Sequence, residues 1–170
     1  DSFSVEKDIN FEDTYSIYNI LAAASCGAIL GIDPKIVESG IARYKPQLGR
    51  MERFLLQKPV VLNLAKNPVG FNESMKVVVQ DPREKIVALG INDLPQDGTD
   101  VSWLWDTDFG LLKEPGIMQY IVFGRRGEDV ALRLKDAGID PSRITSLAST
   151  GAVVDFVEQR GATVAYMLVN

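Results

Sequence analysis

PVVLNLAKNPVGFNESMKVVVQDPREKIVALGI, residues 59–91, carries the clearest indication of the fold class of this chain. Pro59–Leu64 and Lys85–Ile91 are short apolar runs with β-branched residues, bounded by polar ones, which is typical of buried strands. Asn72–Gln80 lies between them and fits a helix. A strand, a helix and a second strand in this order predict two parallel strands joined by a helical crossover.

The same alternation of strands and helices continues downstream. Asn92–Asp108 reads as a loop with room for one helical turn. The elements predicted after it are strands at Met118–Phe123, Ile144–Ala148 and Thr163–Val169 and helices at Glu128–Ala137 and Ala152–Arg160. We therefore predict an α/β domain with a Rossmann-like, mostly parallel sheet and helices on both faces.

A helical hairpin precedes the α/β pattern. Tyr15–Leu30 carries apolar residues at helical spacing, and Gly31 is a natural C-cap. Asp33 reads as the N-cap of a second helix, Pro34–Arg43, which begins with proline as many helices do.

The two parts meet in a segment rich in turn-forming and basic residues. Pro46 to Arg53 is predicted to be a loop, because no apolar period runs through it. We place the domain boundary just after it, so that residues 1–54 end one domain and residues 55–170 form the next.

Composition excludes several classes of protein. The chain has 170 residues, 46% of them hydrophobic and 24% charged, as in an ordinary globular domain. A net charge of −5 argues against binding to nucleic acid or to an anionic membrane. With a single cysteine, Cys26, no internal disulfide can form, so a cytoplasmic location is expected.

The chain contains no histidine. A Ser-His-Asp or Cys-His catalytic set therefore cannot be completed within it. A histidine-containing metal site is excluded as well, and no cysteine cluster offers a zinc site, so we predict no metal centre. Any histidine chemistry has to come from a partner.

Three polar clusters follow predicted strands. They are Asn63–Glu73, Asn92–Asp108 and Gly124–Asp129. Ligands of open parallel sheets gather outside the carboxyl ends of the strands. We therefore expect the three clusters to converge on one edge of the sheet and to form the site.

The second cluster is unusual because its five aspartates surround two tryptophans, Trp103 and Trp105. Tryptophan prefers burial and is enriched at interface hot spots, which suggests a tightly folded loop or one covered by a partner. The alternative is that both rings pack under the loop while the aspartates cap turns and helix ends.

Other candidates are single polar or basic residues. Lys66 is able to donate to a phosphate or carboxylate, although a lone lysine is more often solvated. Asn67 with Pro68 predicts a turn. Arg125 and Arg126 stand between glycines, either as an anion-binding nest at a helix start or as surface charge.

Five segments together resemble the MurT-like branch of the Mur ligase family. They are YSIYNILAA (15–23), GRMER (49–53), LAKNPVGFNE (64–73), DGTDVSWLWDTDF (97–109) and RRGEDVALRLKDAG (125–138). The first resembles the end of the central ATPase domain and the second an interdomain motif whose arginine approaches ATP. The other three resemble the C-terminal domain, and the block with SWLWD is the most specific.

This resemblance implies an ATP-dependent ligase subunit that works with a GatD-like glutamine amidotransferase subunit. Such a pair amidates the α-carboxylate of D-glutamate in lipid II, which is first activated as an acyl phosphate. The partner supplies a cysteine and a histidine, and an aspartate of the ligase subunit completes that triad. In this chain the matching block offers Asp100 first and Asp106 second.

The resemblance also implies ATP and Mg²⁺ as cofactors, with most of their site outside this chain, because no P-loop is present. The candidates here are Arg50, Lys66, Asn67 and Asn19, the last because Ser16 stands where many Mur ligases have asparagine. The chain alone is expected to be inactive. Two alternatives remain: an ATP-dependent ligase acting on another carboxylate, and a non-catalytic docking domain for a glutaminase.

Overall fold

The computed structural model describes residues 14–44 and 49–170, which belong to two compact units, residues 1–47 and 48–170. The first unit contains helices α1 (Thr14–Ile29) and α2 (Pro34–Arg43). The Asp33 carboxylate accepts from the Lys35 N–H at 2.9 Å and caps α2. The predicted hairpin is confirmed.

Close approach of the two helices depends on a glycine. A Cβ atom on Gly27 of α1 would lie 2.6 Å from a methyl group of Val37 in α2. Only a residue without a side chain lets the helices pack at this distance.

The second unit is built on one six-stranded sheet. Its strands are β1 (Glu52–Leu55), β2 (Pro59–Leu64), β3 (Lys85–Gly90), β4 (Ile117–Phe123), β5 (Ile144–Ser146) and β6 (Val164–Val169). The order across the sheet is β1-β2-β6-β3-β4-β5. Only β1 is antiparallel to its neighbour; the other four pairings are parallel.

Helices cover both faces of this sheet, as predicted. The helices are α3 (Pro68–Gln80), α4 (Gly127–Asp136) and α5 (Thr150–Glu158). Phe71 and Met75 of α3 and Val130 and Leu134 of α4 share one apolar core. Val153 and Val157 of α5 belong to a second core. The connection through α5 runs back across the sheet, and a right-handed crossover in that direction places its helix on the opposite face.

Strand β1 lies where the sequence predicted a loop. Glu52 to Leu55 pairs with β2 and extends the sheet by one edge strand. β1 has only four residues, and one of their side chains is half-buried. This pattern is too short to predict a strand from the sequence. The compact units consequently divide at residue 47, earlier than the domain boundary predicted after residue 54. Residues 46–48 of the predicted loop lie outside the described residues.

No helix within residues 14–44 and 49–170 is long and apolar enough to cross a membrane.

An ion pair anchors the turn between α3 and β3 to the middle of the sheet. The Asp81 carboxylate accepts from the Arg83 guanidinium at 2.6 Å and from the Tyr166 hydroxyl of β6 at 2.7 Å. The bonds from Arg83 hold the pKa of Asp81 well below its usual range, although desolvation opposes them. Burial raises the pKa of Tyr166 to about 12, so its hydroxyl remains a donor.

Asp81→Asn is expected to destabilise the second unit by about 1.5–3 kcal/mol at pH 7, the range for hydrogen bonds to charged groups. Because the pKa of Asp81 is depressed in the folded state, its contribution is present above about pH 4 and lost as the pH falls below that value. Urea unfolding, followed by tryptophan fluorescence, measures this at pH 7 and pH 3. The difference in the free energy of unfolding between variant and parent should be smaller at pH 3.

Asp140→Asn is the matched control, because Asp140 is exposed and its carboxylate only caps a turn through the Ser142 N–H at 2.9 Å. We expect its urea midpoint to match that of the parent at both pH values, because surface substitutions away from such ion pairs change stability little. If Asp81→Asn lowers the free energy of unfolding by the same amount at pH 7 and pH 3, the stability does not depend on the Asp81 pKa as predicted.

Candidate functional site

The first polar cluster turns the chain from β2 into α3. Asn67 is the N-cap of α3, and its side-chain oxygen accepts from the Gly70 N–H at 2.8 Å. Pro68 is the first helical residue, so α3 begins four residues earlier than the predicted Asn72. Asn67 is thus a cap as well as a candidate ligand, and its role toward a cofactor stays a prediction.

Contacts between side chains and backbone confirm that the three clusters meet at the carboxyl edge of the sheet. The Lys66 ammonium donates to the Gln96 carbonyl at 2.7 Å, and the Asp108 N–H donates to the side chain of Asn72 at 3.0 Å. The second cluster joins the third where Asp93 contacts Arg125, with Nε and Oδ1 2.6 Å apart. The convergence predicted from the order of the strands is therefore confirmed.

Asn170 joins this edge and was not among the predicted site residues. It follows β6 and is 8% exposed. Its side chain accepts from the Asn92 N–H and donates to the Asn92 carbonyl, both at 2.8 Å. Its position directly after a strand of the parallel sheet is the signal that would have found it.

Two adjacent arginines are neutralised at the third cluster. Arg125 donates to Asp93, and Nε of Arg126 lies 3.0 Å from the second Asp93 oxygen without aiming its hydrogen at it. The bond from Arg125 lowers the pKa of Asp93, which keeps the carboxylate ionised. Backbone N–H groups of both arginines already bond to Asn92 and Ile91. Two backbone donors of the predicted anion nest are therefore used within the protein, and the anion-nest interpretation stays a prediction.

Gly124 makes that arrangement possible. Its φ angle is +83°, and a Cβ atom there would lie 2.5 Å from the Ile91 carbonyl oxygen. No other residue type fits such a backbone without a shift of β3 or β4.

The loop of the second cluster is held to the sheet by two short 3₁₀ helices, Ser102–Trp105 and Phe109–Leu112. Leu104, Phe109 and Leu112 are at most 1% exposed and belong to the same core as α3 and α4. The predicted loop Asn92–Asp108 contains one helical turn, Ser102–Trp105, as expected, and the second 3₁₀ helix begins directly after that loop. The bend between the two helices, residues 106–108, is exposed at Asp106 and Asp108, as are residues 98–100 earlier in the loop.

The two tryptophans of the loop differ in exposure. Trp103 packs with its ring centroid 5.5 Å from that of Phe71, as the packing interpretation expects. Trp105 is 60% exposed, and the Arg133 guanidinium lies 4.8 Å from its ring centroid. A large exposed aromatic ring that is held from one side is typical of an interface anchor.

Asp100 and Asp106 are both exposed on this loop. The Asp100 carboxylate accepts from the Ser102 N–H at 2.8 Å, and its bonds to Ser102, from the side chain first, lower the pKa of Asp100. Asp106 has no hydrogen bond or ion pair through its carboxylate within the described part of the chain. Both carboxylates are thus available to a partner, Asp100 through the oxygen that Ser102 N–H leaves unused.

The remaining cofactor candidates lie in different units. Asn19 is exposed on α1 in the first unit, and Arg50 is exposed just before β1 in the second. Arg50 and Lys66 are cations at the surface, which is the donor chemistry that phosphate groups bind. No group of three or more Asp, Glu, Cys or His within residues 14–44 and 49–170 is placed to hold a metal ion. We assign no step to Mg²⁺ in this chain.

Comparison with known proteins adds a family. The profile described as "MurT ligase C-terminal" matches residues 64–170. The chain is 35% identical over 159 residues to the lipid II isoglutaminyl synthase (glutamine-hydrolyzing) subunit MurT of Staphylococcus aureus strain COL, covering 93% of this chain and 36% of that protein. The protein of the same name from Streptococcus pneumoniae R6 is 30% identical over 164 residues, covering 96% and 37%.

Solved structures show the same fold. The chain superposes on a crystal structure of MurF from Acinetobacter baumannii with a TM-score of 0.68, at 16% identity, over 92% of this chain and 35% of that chain. The mostly parallel sheet with helices on both faces is therefore a Mur ligase fold. This chain spans about a third of the length of the relatives that it matches.

Proposed function

The chain belongs to the MurT ligase C-terminal family, and from that premise we propose that it is the C-terminal part of the ligase subunit of a glutamine-dependent amidotransferase. The substrate is the α-carboxylate of D-glutamate in lipid II, and the reaction belongs to cytoplasmic peptidoglycan synthesis. Two relatives with 30–35% identity over nearly the whole chain carry the name of such a subunit, which supports the proposal.

The chemistry needs a nitrogen source and an activated carboxylate. ATP supplies the phosphoryl group that activates the carboxylate, and ammonia then forms the amide bond as phosphate leaves. In this chain Arg50 and Lys66 are the proposed phosphate contacts, Asn19 the contact on the adenine side and Asn67 a neighbouring polar group. Residues 1–54 would close the ATPase domain and residues 55–170 form the C-terminal domain. The rest of the site lies in the part of the relatives that this chain does not cover.

The observation that carries the proposal is the exposure of Asp100 and Asp106 on one loop of a chain without histidine. A GatD-like partner supplies a cysteine that attacks glutamine and a histidine that moves the proton. A carboxylate bonded to the second imidazole nitrogen orients the ring and stabilises the imidazolium that forms. We propose that Asp100, or Asp106 in second place, is that carboxylate.

A second candidate is a docking domain without a catalytic carboxylate. The 60% exposure of Trp105 favours it, because an exposed aromatic ring supports binding whether or not a neighbouring aspartate takes part in the reaction. Substitution of the aspartates separates the two candidates.

The test uses the full-length protein, its candidate glutaminase partner, lipid II and ATP. With glutamine, we expect amidation only when both proteins are present; with ammonium chloride, we expect the ligase subunit to amidate without the partner. Residues 1–170 alone should be inactive with either nitrogen source. The proposal fails if the full-length pair amidates lipid II with neither glutamine nor ammonium.

A further inference from the structure

The Arg133 side chain of α4 bonds to the backbone before and after Asp106. Its Nε donates to the Leu104 carbonyl at 3.1 Å and its Nη2 to the Thr107 carbonyl at 3.3 Å. The guanidinium carbon also lies 4.8 Å from the ring centroid of Trp105. Arg133 thus contacts Leu104 and Trp105 before Asp106 and Thr107 after it.

The Arg133 side chain is itself fixed. It is 12% exposed, and its Nη1 bonds to Asp136 at 2.6 Å one turn further along α4. A planar guanidinium can reach two carbonyls and an aromatic face at once, which a lysine ammonium cannot do. The arginine therefore places the loop against a rigid helix.

Buried side chains anchor the loop in the core on both sides of the bend. Leu104 and Phe109 are 1% exposed, and Arg133 contacts both, through the Leu104 carbonyl at 3.1 Å and at 5.7 Å from the Phe109 ring centroid. Between these anchors, 3₁₀ helices have poorer hydrogen-bond geometry than α-helices. Within the bend, the Thr107 hydroxyl and the Asp106 N–H both donate to the Trp103 carbonyl at 3.1 Å. Arg133 adds the contacts that tie the bend to α4.

We propose that Arg133 is a positioning residue, which fixes the backbone on both sides of Asp106 and the ring of Trp105 so that the bend meets the partner in one orientation. This inference rests on the proposed function, because the orientation matters only if the bend meets a glutaminase. Arg133 touches no reacting atom and acts through residues 104–107.

The test is Arg133→Met in the full-length complex, since methionine keeps the apolar stem and removes the donors. At saturating partner, glutamine-driven amidation should fall by roughly tenfold to a hundredfold, as misplacement of a group by about 1 Å costs up to a hundredfold. Ammonium-driven amidation should stay unchanged. Hydrogen exchange of residues 101–112 should speed up, and Arg133→Lys should show intermediate values of both.

Arg160→Met is the matched control. Arg160 stacks on Phe156 at 4.6 Å beside α5, on the other face of the sheet, so its loss removes a similar contact away from the bend. We expect no change in glutamine-driven amidation.

Three outcomes would overturn the inference: exchange of residues 101–112 as slow as in the parent, an equal fall with glutamine and with ammonium, or a fall that disappears when the partner saturates. The last would show that Arg133 contributes to affinity alone. If the parent complex itself does not use glutamine, the proposed function fails first, and the positioning role fails with it.

Discussion

Asp100→Asn, in the full-length protein bound to its glutaminase partner, is expected to slow glutamine hydrolysis by about 10³- to 10⁴-fold. The amide no longer stabilises the imidazolium, and it favours the wrong tautomer of the partner's histidine. Ammonium-driven amidation bypasses the glutaminase and should continue at the parent rate. Both rates can be measured on one preparation, with glutamate release as the readout for hydrolysis.

The local structure makes this substitution informative. Asp100 accepts from the Ser102 N–H, and asparagine keeps an oxygen in that position, so the turn before the first 3₁₀ helix is preserved. Asp106→Asn removes the charge without breaking a hydrogen bond or ion pair of the described residues, because the Asp106 carboxylate makes none there. Whichever of the two variants loses hydrolysis identifies the triad carboxylate.

Asp108→Asn is the control within the same loop. Asp108 is exposed and caps the second 3₁₀ helix through the Gly110 N–H at 3.1 Å, and asparagine retains that bond. We expect less than a twofold change. If Asp100→Asn and Asp106→Asn both hydrolyse glutamine at the parent rate, the triad assignment is wrong. If all three variants slow equally, the loop acts through its net charge.

Glu114→Ala is expected to destabilise the second unit by about 3 kcal/mol, the lower end of the range for breaking a buried ion pair. Lys85 of β3 is fully buried, and its ammonium lies 3.0 Å from the Glu114 carboxylate. Removing the carboxylate leaves a buried charge without a partner. The lower end applies because Glu114 is 32% exposed, so water can enter the space that it leaves.

The opposite substitution should cost far less. In Lys85→Met the remaining Glu114 still accepts from the Gly116 N–H at 3.0 Å, the main cause of its lowered pKa, and it stays in contact with water. We expect a change below about 1 kcal/mol, since the remaining carboxylate is 32% exposed and no buried charge is left without a partner. In Lys85→Met combined with Glu114→Ala, most of the stability lost in Glu114→Ala should return.

Urea unfolding measures these effects in the second unit alone, because both tryptophans of the chain belong to it. Glu73→Ala is the control, as its ion pair with Lys76 is exposed and should contribute no more than about 0.5 kcal/mol. A loss for Glu114→Ala as small as that of the control would show that the buried lysine does not need its partner.

Local signals explain which elements were predicted correctly. Pro34–Arg43 and Pro59–Leu64 match their predicted bounds, because a cap with a following proline marks the one and a bounded apolar run marks the other. The start of α3 was missed although Asn67 and Pro68 form the same pair as Asp33 and Pro34. Asn67 with Pro68 predicts a turn when it is considered alone. The helical spacing of the apolar residues after Pro68 instead favours Asn67 as the N-cap of α3.

Contacts over long sequence distances explain what was missed at the site. Asn170 binds Asn92, and Arg133 binds the carbonyls of residues 104 and 107. None of these pairs has a spacing that a helix or a hairpin would impose. Sequence patterns carry no signal for such pairs, so Arg133 was not among the candidates, whereas Asn170 could have been found from its place directly after a strand.

The order of strands and polar segments along the chain was enough to predict that three polar clusters lie at one edge of the sheet, because parallel strands bring their carboxyl ends together in any order. The composition also excluded any catalytic set that would need a histidine of this chain. The three-dimensional structure was needed to show that β6 lies between β2 and β3. It was also needed to show that Asp93 is paired with arginines while Asp100 and Asp106 are exposed. A carboxylate is paired only where the packing of other elements places a cation within a few ångströms of it. Those distances cannot be read from the sequence, so the sequence did not distinguish Asp93 from Asp100 and Asp106.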